Sequence, residues 1–192
     1  MKYKSHESEP VNEVTETKRR KCTLSEEMQN LLLRQLWHEL YNHNLYRSFA
    51  NFFGVQGLLV LEAYYIARAE EEKLHHDWIY DYLNTCDAEF IYPEIPAISE
   101  VFEDNIEPFK LTVDKEIETT MLIYEMVDQA IIEHDWATYH WLMDDNEKTG
   151  MLVKEQIEEE NISRTALDIA CSEGSWLRKE KSIMNAYEGD VD

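Results

Sequence analysis

The stretch from Val101 to His134 limits the possible folds more than any other part of the chain. Within it Phe109, Val113, Glu116, Thr120, Ile123, Val127 and Ala130 recur at alternating spacings of four and three. That spacing puts all seven on one face of an α-helix. The stripe is largely apolar, yet Glu116 stands in its middle. A carboxylate buried alone is strongly disfavoured, or is neutralised by a shift of its pKa. A helix of this kind needs a partner that meets the acid.

The same anomaly recurs along the chain. In a first helical segment Leu32 and Leu36 precede Glu39, and Tyr46 lies two turns on. In a second, Leu61, Tyr65, Glu72 and Ile79 share a face, with His75 beside Glu72. In a fourth, Leu152, Gln156 and Glu159 share a face that continues to Leu167. Any one of these acids, taken singly, reads more simply as part of a solvated helix face. Four helices that each carry an acid at mid-length on an apolar face require a cation. Glu72 and His75 have the i, i+3 spacing that puts both on one side of a helix. Carboxylate oxygens with an imidazole nitrogen suit iron, manganese or zinc.

The rest of the chain organises these segments into an all-α bundle. Residues 1–22 are polar and charge-mixed and read as a flexible tail. Thr23-Leu24-Ser25-Glu26 reads as a capping box that opens the first helix. Gly54 and Gly57 mark a turn, and a second helix runs from about Leu58 to Leu83. Asn84 to Ser99, with Pro93 and Pro96, reads as a crossing loop. The third helix spans Val101–His134, and Asp135 is placed to cap a fourth, running from Trp136 toward Cys171. Gly174 ends it, a short fifth helix covers Trp176 to Ala186, and 187–192 are expected to fray. The domain is thus 23–186. Four long helices with one long link between the second and third give a four-helix bundle with a crossover.

Charge narrows the partners. Lys plus Arg number 18 against 40 Asp plus Glu, for a formal net charge of −22. Nucleic-acid binding and adsorption to an anionic membrane are excluded as the main task, whereas cations are attracted at long range. A hydrophobic fraction of 44% is too high for a disordered chain. Cys22, Cys86 and Cys171 form no CxxC, so neither a disulfide framework nor a zinc knuckle is expected. Absence of a signal-like or membrane-length apolar run makes a cytoplasmic location the expectation.

At the anomalous acids the chain resembles the bacterial non-haem ferritins. The resemblance covers Leu24 to Ala186 and rests on four motifs in order: Glu39-Leu40-Tyr41, Glu71-Glu72-Lys73-Leu74-His75, Glu116 with Thr120, and Val153-Lys154-Glu155-Gln156-Ile157-Glu158-Glu159-Glu160. It implies a ferritin-like bundle and a di-iron ferroxidase centre inside one subunit. Glu39, Glu72 and His75 would bind the first iron; Glu72, Glu116 and Glu159 the second. Gln156 would hydrogen-bond beside the pair. Tyr46 matches a tyrosine that supplies an electron, and equally a core aromatic with a satisfied hydroxyl. Glu71, Glu155 and Glu158 match an accessory third iron position, and equally a solvated acidic face. His38, His43, His76 and His134 are assigned no metal, and His76 is read as a surface residue.

The resemblance further implies iron storage in a hollow homo-oligomer of twenty-four subunits, with Fe(II) oxidised by oxygen or peroxide. A ferritin-like shell or metal buffer without fast oxidation is the alternative. Haem is not expected, because the position of the haem-binding Met in bacterioferritin-like chains holds Lys73, and their last-helix E-x-x-H reads Gln156-Ile157-Glu158-Glu159. Rubrerythrin-like chains add paired CxxC, absent here. One departure stands out. Residues Asp144 to Gly150 have no counterpart in the family, and their poor helix formers predict a polar bulge or loop. Asp144, Asp145 and Glu147 would there supply acids to an iron channel, or simply a solvated loop.

Overall fold

The computed structural model describes residues 22–143 and 152–189. The tail, apart from Cys22, and the Asp144–Gly150 segment lie outside the described residues. Six helices follow one another: α1 (Glu26–Val55), α2 (Leu59–Thr85), α3 (Glu107–Glu133), α4 (Trp136–Met143), α5 (Leu152–Cys171) and α6 (Trp176–Glu188). Among the described residues there is no strand.

Local chemistry sets the ends. Ser25 caps α1 in an extended conformation, its hydroxyl accepting from the Met28 amide at 3.0 Å. Ser25, not Thr23, therefore caps this helix; the Thr23 amide is drawn away to the Cys86 carbonyl. The α1–α2 turn is tight, with Gly57 at φ +77°, a conformation that costs glycine little. α3 starts at Glu107 rather than Val101. Pro108 lies in its first turn, and Asp104 Oδ1 accepts from the amides of Ile106 and Glu107. His134 closes it in the left-handed region, and Asp135 accepts from the Thr138 amide to start α4. α6 extends through Glu188, two residues past the expected Ala186, and the Tyr187 hydroxyl donates to Glu71 Oε1 at 2.7 Å; residues 190–192 of the expected frayed end lie outside the described residues.

The crossing segment fixes the topology. Gln29, Trp37 and Tyr41 of α1 donate in turn to Glu89 O, Glu94 O and Glu100 Oε1. The link thus runs beside α1 in the same direction and returns the chain to the far end of the bundle. α3 consequently runs opposite to α1, and the Ser25 hydroxyl donates to Glu133 near the end of α3. α5 packs on α3, and α6 covers the end formed by α2 and α5. No helix of the described residues is long and apolar enough to cross a membrane.

The core falls into two apolar clusters. One is aromatic, built on Tyr46, Phe49, Phe53, Tyr64, Tyr65 and Phe109. The other is aliphatic, built on Met28, Leu32, Leu36, Ile79, Ile123 and Met126. The α3 stripe drifts slightly from its sequence pattern: Thr119 and Met126 are buried, and Thr120 and Val127 sit half-buried at its edge. A true period of 3.6 against an average of 3.5 produces this drift. Between the two clusters lies a layer of polar side chains.

Candidate metal centre

Four helices fill that layer. α1 supplies Glu39, α2 supplies Arg68, Glu72 and His75, α3 supplies Glu116, and α5 supplies Gln156 and Glu159; all seven are buried. Each follows the apolar register of its own helix, so packing the stripes drives the acids together.

Two groups of ligand atoms result. Glu39, Glu72 and His75 place one atom each within 4.8 Å of one another, and so do Glu72, Glu116 and Glu159. Glu72 belongs to both. Glu39 Oε2, Glu72 Oε1, Glu159 Oε2 and His75 Nδ1 are buried without a hydrogen-bond partner. Buried polar atoms are nearly always satisfied, so four unpartnered buried atoms on residues of the two groups fit metal ions. The donor set, four carboxylates and one imidazole, suits a hard or borderline divalent ion such as Fe(II).

The remaining bonds orient the ligands. Gln35 donates to Glu39 Oε1 at 2.5 Å. Tyr46 donates to Glu116 Oε1 at 2.6 Å, and Gln156 donates to Glu116 Oε2 at 2.9 Å and to the Glu116 carbonyl at 3.1 Å. Gln156 thus holds the Glu116 carboxylate in place. His75 Nε2 lies 2.9 Å from Glu155 Oε2, which leaves Nδ1 to face Glu39 at 3.9 Å. Such outer partners fix ring orientation and ligand basicity.

Charge crowding shifts the protonation equilibria. Burial, then the carboxylates of Glu116 and Glu39, raises the Glu72 pKa well above the usual range. Burial also raises Glu159, to about 8, although Arg68 and His75 pull it down. Burial lowers His75, but Glu159, Glu155 and Glu39 outweigh it and the pKa stands at about 10. Tyr46 is pushed up by burial and by Glu116 and Glu72, so its phenol keeps its proton. A bound cation would relieve crowding of this kind.

The accessory acids behave differently. Glu155 is half-buried on His75, Glu71 is half-buried between Arg68 and Tyr187, and Glu158 is exposed. All three line a cavity of about 290 Å³ that opens onto the centre beside Arg68, His75 and Glu159. They form no ligand triad of their own among the described residues. Thr120 bonds Glu160 and the Glu116 carbonyl and stays outside the cluster. His76 is buried, against the expectation of a surface position: Asp77 and the Tyr92 hydroxyl of the crossing segment hold its two ring nitrogens. His38 is buried too, on Thr119 and Asn42.

Arg68 is the residue that motif reading missed. It is fully buried, four residues before Glu72, in register with Leu61, Tyr65, Glu72, His75 and Ile79. An arginine in a core register was the available signal.

A helical bundle with a mid-length layer of carboxylates and a histidine defines the class of metal-binding carboxylate bundles. Within that class, the chain belongs to the ferritin family: its residues 29–168 match the ferritin-like domain. Among similar proteins are the bacterial non-heme ferritin of Staphylococcus saprophyticus, 30% identical over 145 residues that cover 76% of this chain and 83% of the relative, and that of Staphylococcus haemolyticus, 28% identical over the same shares. The ferritin of Chlorobium tepidum superposes with a TM-score of 0.70 at 28% identity, over 77% of this chain and 85% of its own. An open pore ferritin from Archaeoglobus fulgidus superposes with a TM-score of 0.74 at 25% identity, over 84% and 96%.

Proposed function

We propose that the chain is an iron-storage ferritin subunit that oxidises Fe(II) at the bundle centre. The observation that carries this reading is the pair of ligand groups sharing Glu72, whose residues carry four buried atoms without a hydrogen-bond partner. Fe(II) is the substrate. Glu39, Glu72 and His75 take one ion, and Glu72, Glu116 and Glu159 the other. Hard anionic ligands favour Fe(III) over Fe(II) and so lower the reduction potential of bound iron. Each Fe(II) gives up one electron. Two of them reduce one dioxygen from solution to hydrogen peroxide with uptake of two protons. Gln156 and Tyr46 hold Glu116 in place.

The product leaves for the interior of a homo-oligomeric shell, of twenty-four copies by family resemblance, and the excess acid of the chain draws Fe(II) inward. Glu71, Glu155 and Glu158 form the acidic mouth through which ions pass. A second reading, a ferritin shell that binds iron without fast oxidation, is favoured by one observation, the Arg68 guanidinium among the ligands. Anaerobic addition of Fe(II), then air, separates the two. Rapid growth of ferric absorbance in step with oxygen consumption is expected; growth no faster than in buffer would overturn the ferroxidase reading.

A further inference from the structure

Arg68 does not belong to the hydrogen-bonding shell that merely orients ligands. Its guanidinium reaches into one ligand group and leaves the other alone. Nη2 donates to Glu116 Oε1 at 2.6 Å, and Nη1 stands 3.2 Å from Glu159 Oε1 and 2.9 Å from Glu71 Oε2. It makes no ion pair with Glu39 or Glu72. The guanidinium therefore already bridges two of the three residues that make the second position. A planar fork with fixed charge is suited to joining two carboxylates in this way. The side chain is also incompletely satisfied, since the buried Nε has no partner. It has a route outward, because Arg68 lines the cavity whose wall carries Glu71, Glu155 and Glu158.

We propose that Arg68 is a tethered cation standing in for the second metal ion, so that the centre loads in two unequal steps. The first ion binds Glu39, Glu72 and His75, where no resident cation competes. The second binds Glu72, Glu116 and Glu159 only when the guanidinium swings out to the acids at the mouth. Arg68 is thus a positioning and specificity-determining residue. It keeps Glu116 and Glu159 paired while the second position is empty, and it weakens that position for any divalent ion. The inference rests on the metal-binding part of the reading above, and not on whether oxidation is fast.

Zinc tests it, because Zn(II) binds such ligands and undergoes no oxidation. Metal-free protein is titrated anaerobically with Zn(II) by calorimetry. Two steps are expected, the second weaker by about tenfold or more, within the usual span of coupled sites. R68Q should tighten the second step by about tenfold and leave the first within about threefold. H75A should remove the first step in both backgrounds. If R68Q requires metal to fold, R68K carries the test: lysine offers a single point of charge and cannot bridge Glu116 and Glu159 as a fork. Its second step should then lie between wild type and full release. Two equal steps in the wild type, or variants that superpose on it, overturn the role of Arg68 and leave the metal centre standing. Absence of any step sensitive to H75A overturns both.

Discussion

Tyr46 and Arg68 converge on a single oxygen: both donate to Glu116 Oε1, each at 2.6 Å, and the guanidinium carbon lies 5.9 Å from the centre of the Tyr46 ring. The arrangement links an α1 side chain, an α2 side chain and an α3 acid at the boundary between the aromatic cluster and the polar layer. It suggests how Y46F should behave. Glu116 keeps its bonds to Arg68 and Gln156, so the loss is about 1 kcal/mol of stability, the usual worth of one hydrogen bond. Thermal unfolding of the metal-free variant checks this. If Tyr46 also supplies an electron, the fast phase of ferric absorbance slows while anaerobic Zn(II) binding stays as in the wild type.

Much of this geometry could be read from register alone. Glu39, Glu72, Glu116 and Glu159 each interrupt an apolar stripe, and packing four stripes leaves them no other place. What the pattern does not carry is the direction of the outer bonds. Gln156 bonds Glu116 because both its amide hydrogens find acceptors on that one residue, which spacing alone does not report. His76 looked like a surface residue because α2 alone puts it off the core face, and only the long crossing segment, with Tyr92, buries it. Arg68 lies outside every acid motif, and an arginine on a core register carries no motif of its own. The helix ends at Ser25 and Glu107 depended on single hydroxyl and carboxylate bonds, which periodicity does not report.

The metal-free protein should lose stability as pH rises. Glu159 moves from 4.5 to about 8 on folding and His75 from 6.5 to about 10, and Glu72 also rises. Each of these groups binds its proton more tightly folded than unfolded, so stability falls with pH wherever the folded state holds the extra proton. The Glu159 contribution declines between pH 4.5 and about 8. The His75 contribution is complete below 6.5 and is lost as pH passes about 10. Zinc reverses the trend, because bound metal requires the deprotonated ligands, and its binding should release protons at neutral pH. Melting temperatures from pH 5 to 9, with chelator or with Zn(II), check both slopes.

Glu72 should trade stability for function. It is fully buried and crowded by Glu116 and Glu39. E72Q removes that burden while keeping the shape, and should stabilise the metal-free protein by about 1–2 kcal/mol at pH 8. The gain should shrink toward pH 5, where the native acid holds its proton with less cost. The same variant should lose rapid iron oxidation, since Glu72 serves both ligand groups. E158A, altering an exposed acid at the mouth, should keep most of the initial rate. Equal initial rates in E72Q and E158A contradict this ranking.

The outer surface predicts assembly. Ile91 is 93% exposed, Val101 88% and Val55 81%. Val55 and Val101, with Phe52 and Phe102, line a groove of about 530 Å³ between the end of α1 and the crossing segment. The crossing segment packs Phe90, Ile98 and Phe102 against the two cores but leaves Ile91 and Val101 in water. Singly exposed apolar residues are ordinary, but Val55 and Val101 flank one apolar groove, and a contiguous apolar patch of that kind marks an interface. The chain should therefore elute far larger than one subunit in size-exclusion chromatography at neutral pH. Because Ile91 and Val101 make little use of the protomer's own core, I91D/V101D should keep its helical signal and melting behaviour as a subunit while shifting to smaller species. Aspartate on both sides of a symmetric contact adds like-charge repulsion to lost burial, so the shift should be largest at low salt, where screening is weakest. A wild-type chain that runs as a monomer, or a double variant that assembles as fully as the wild type, shows that this face is not part of the contact.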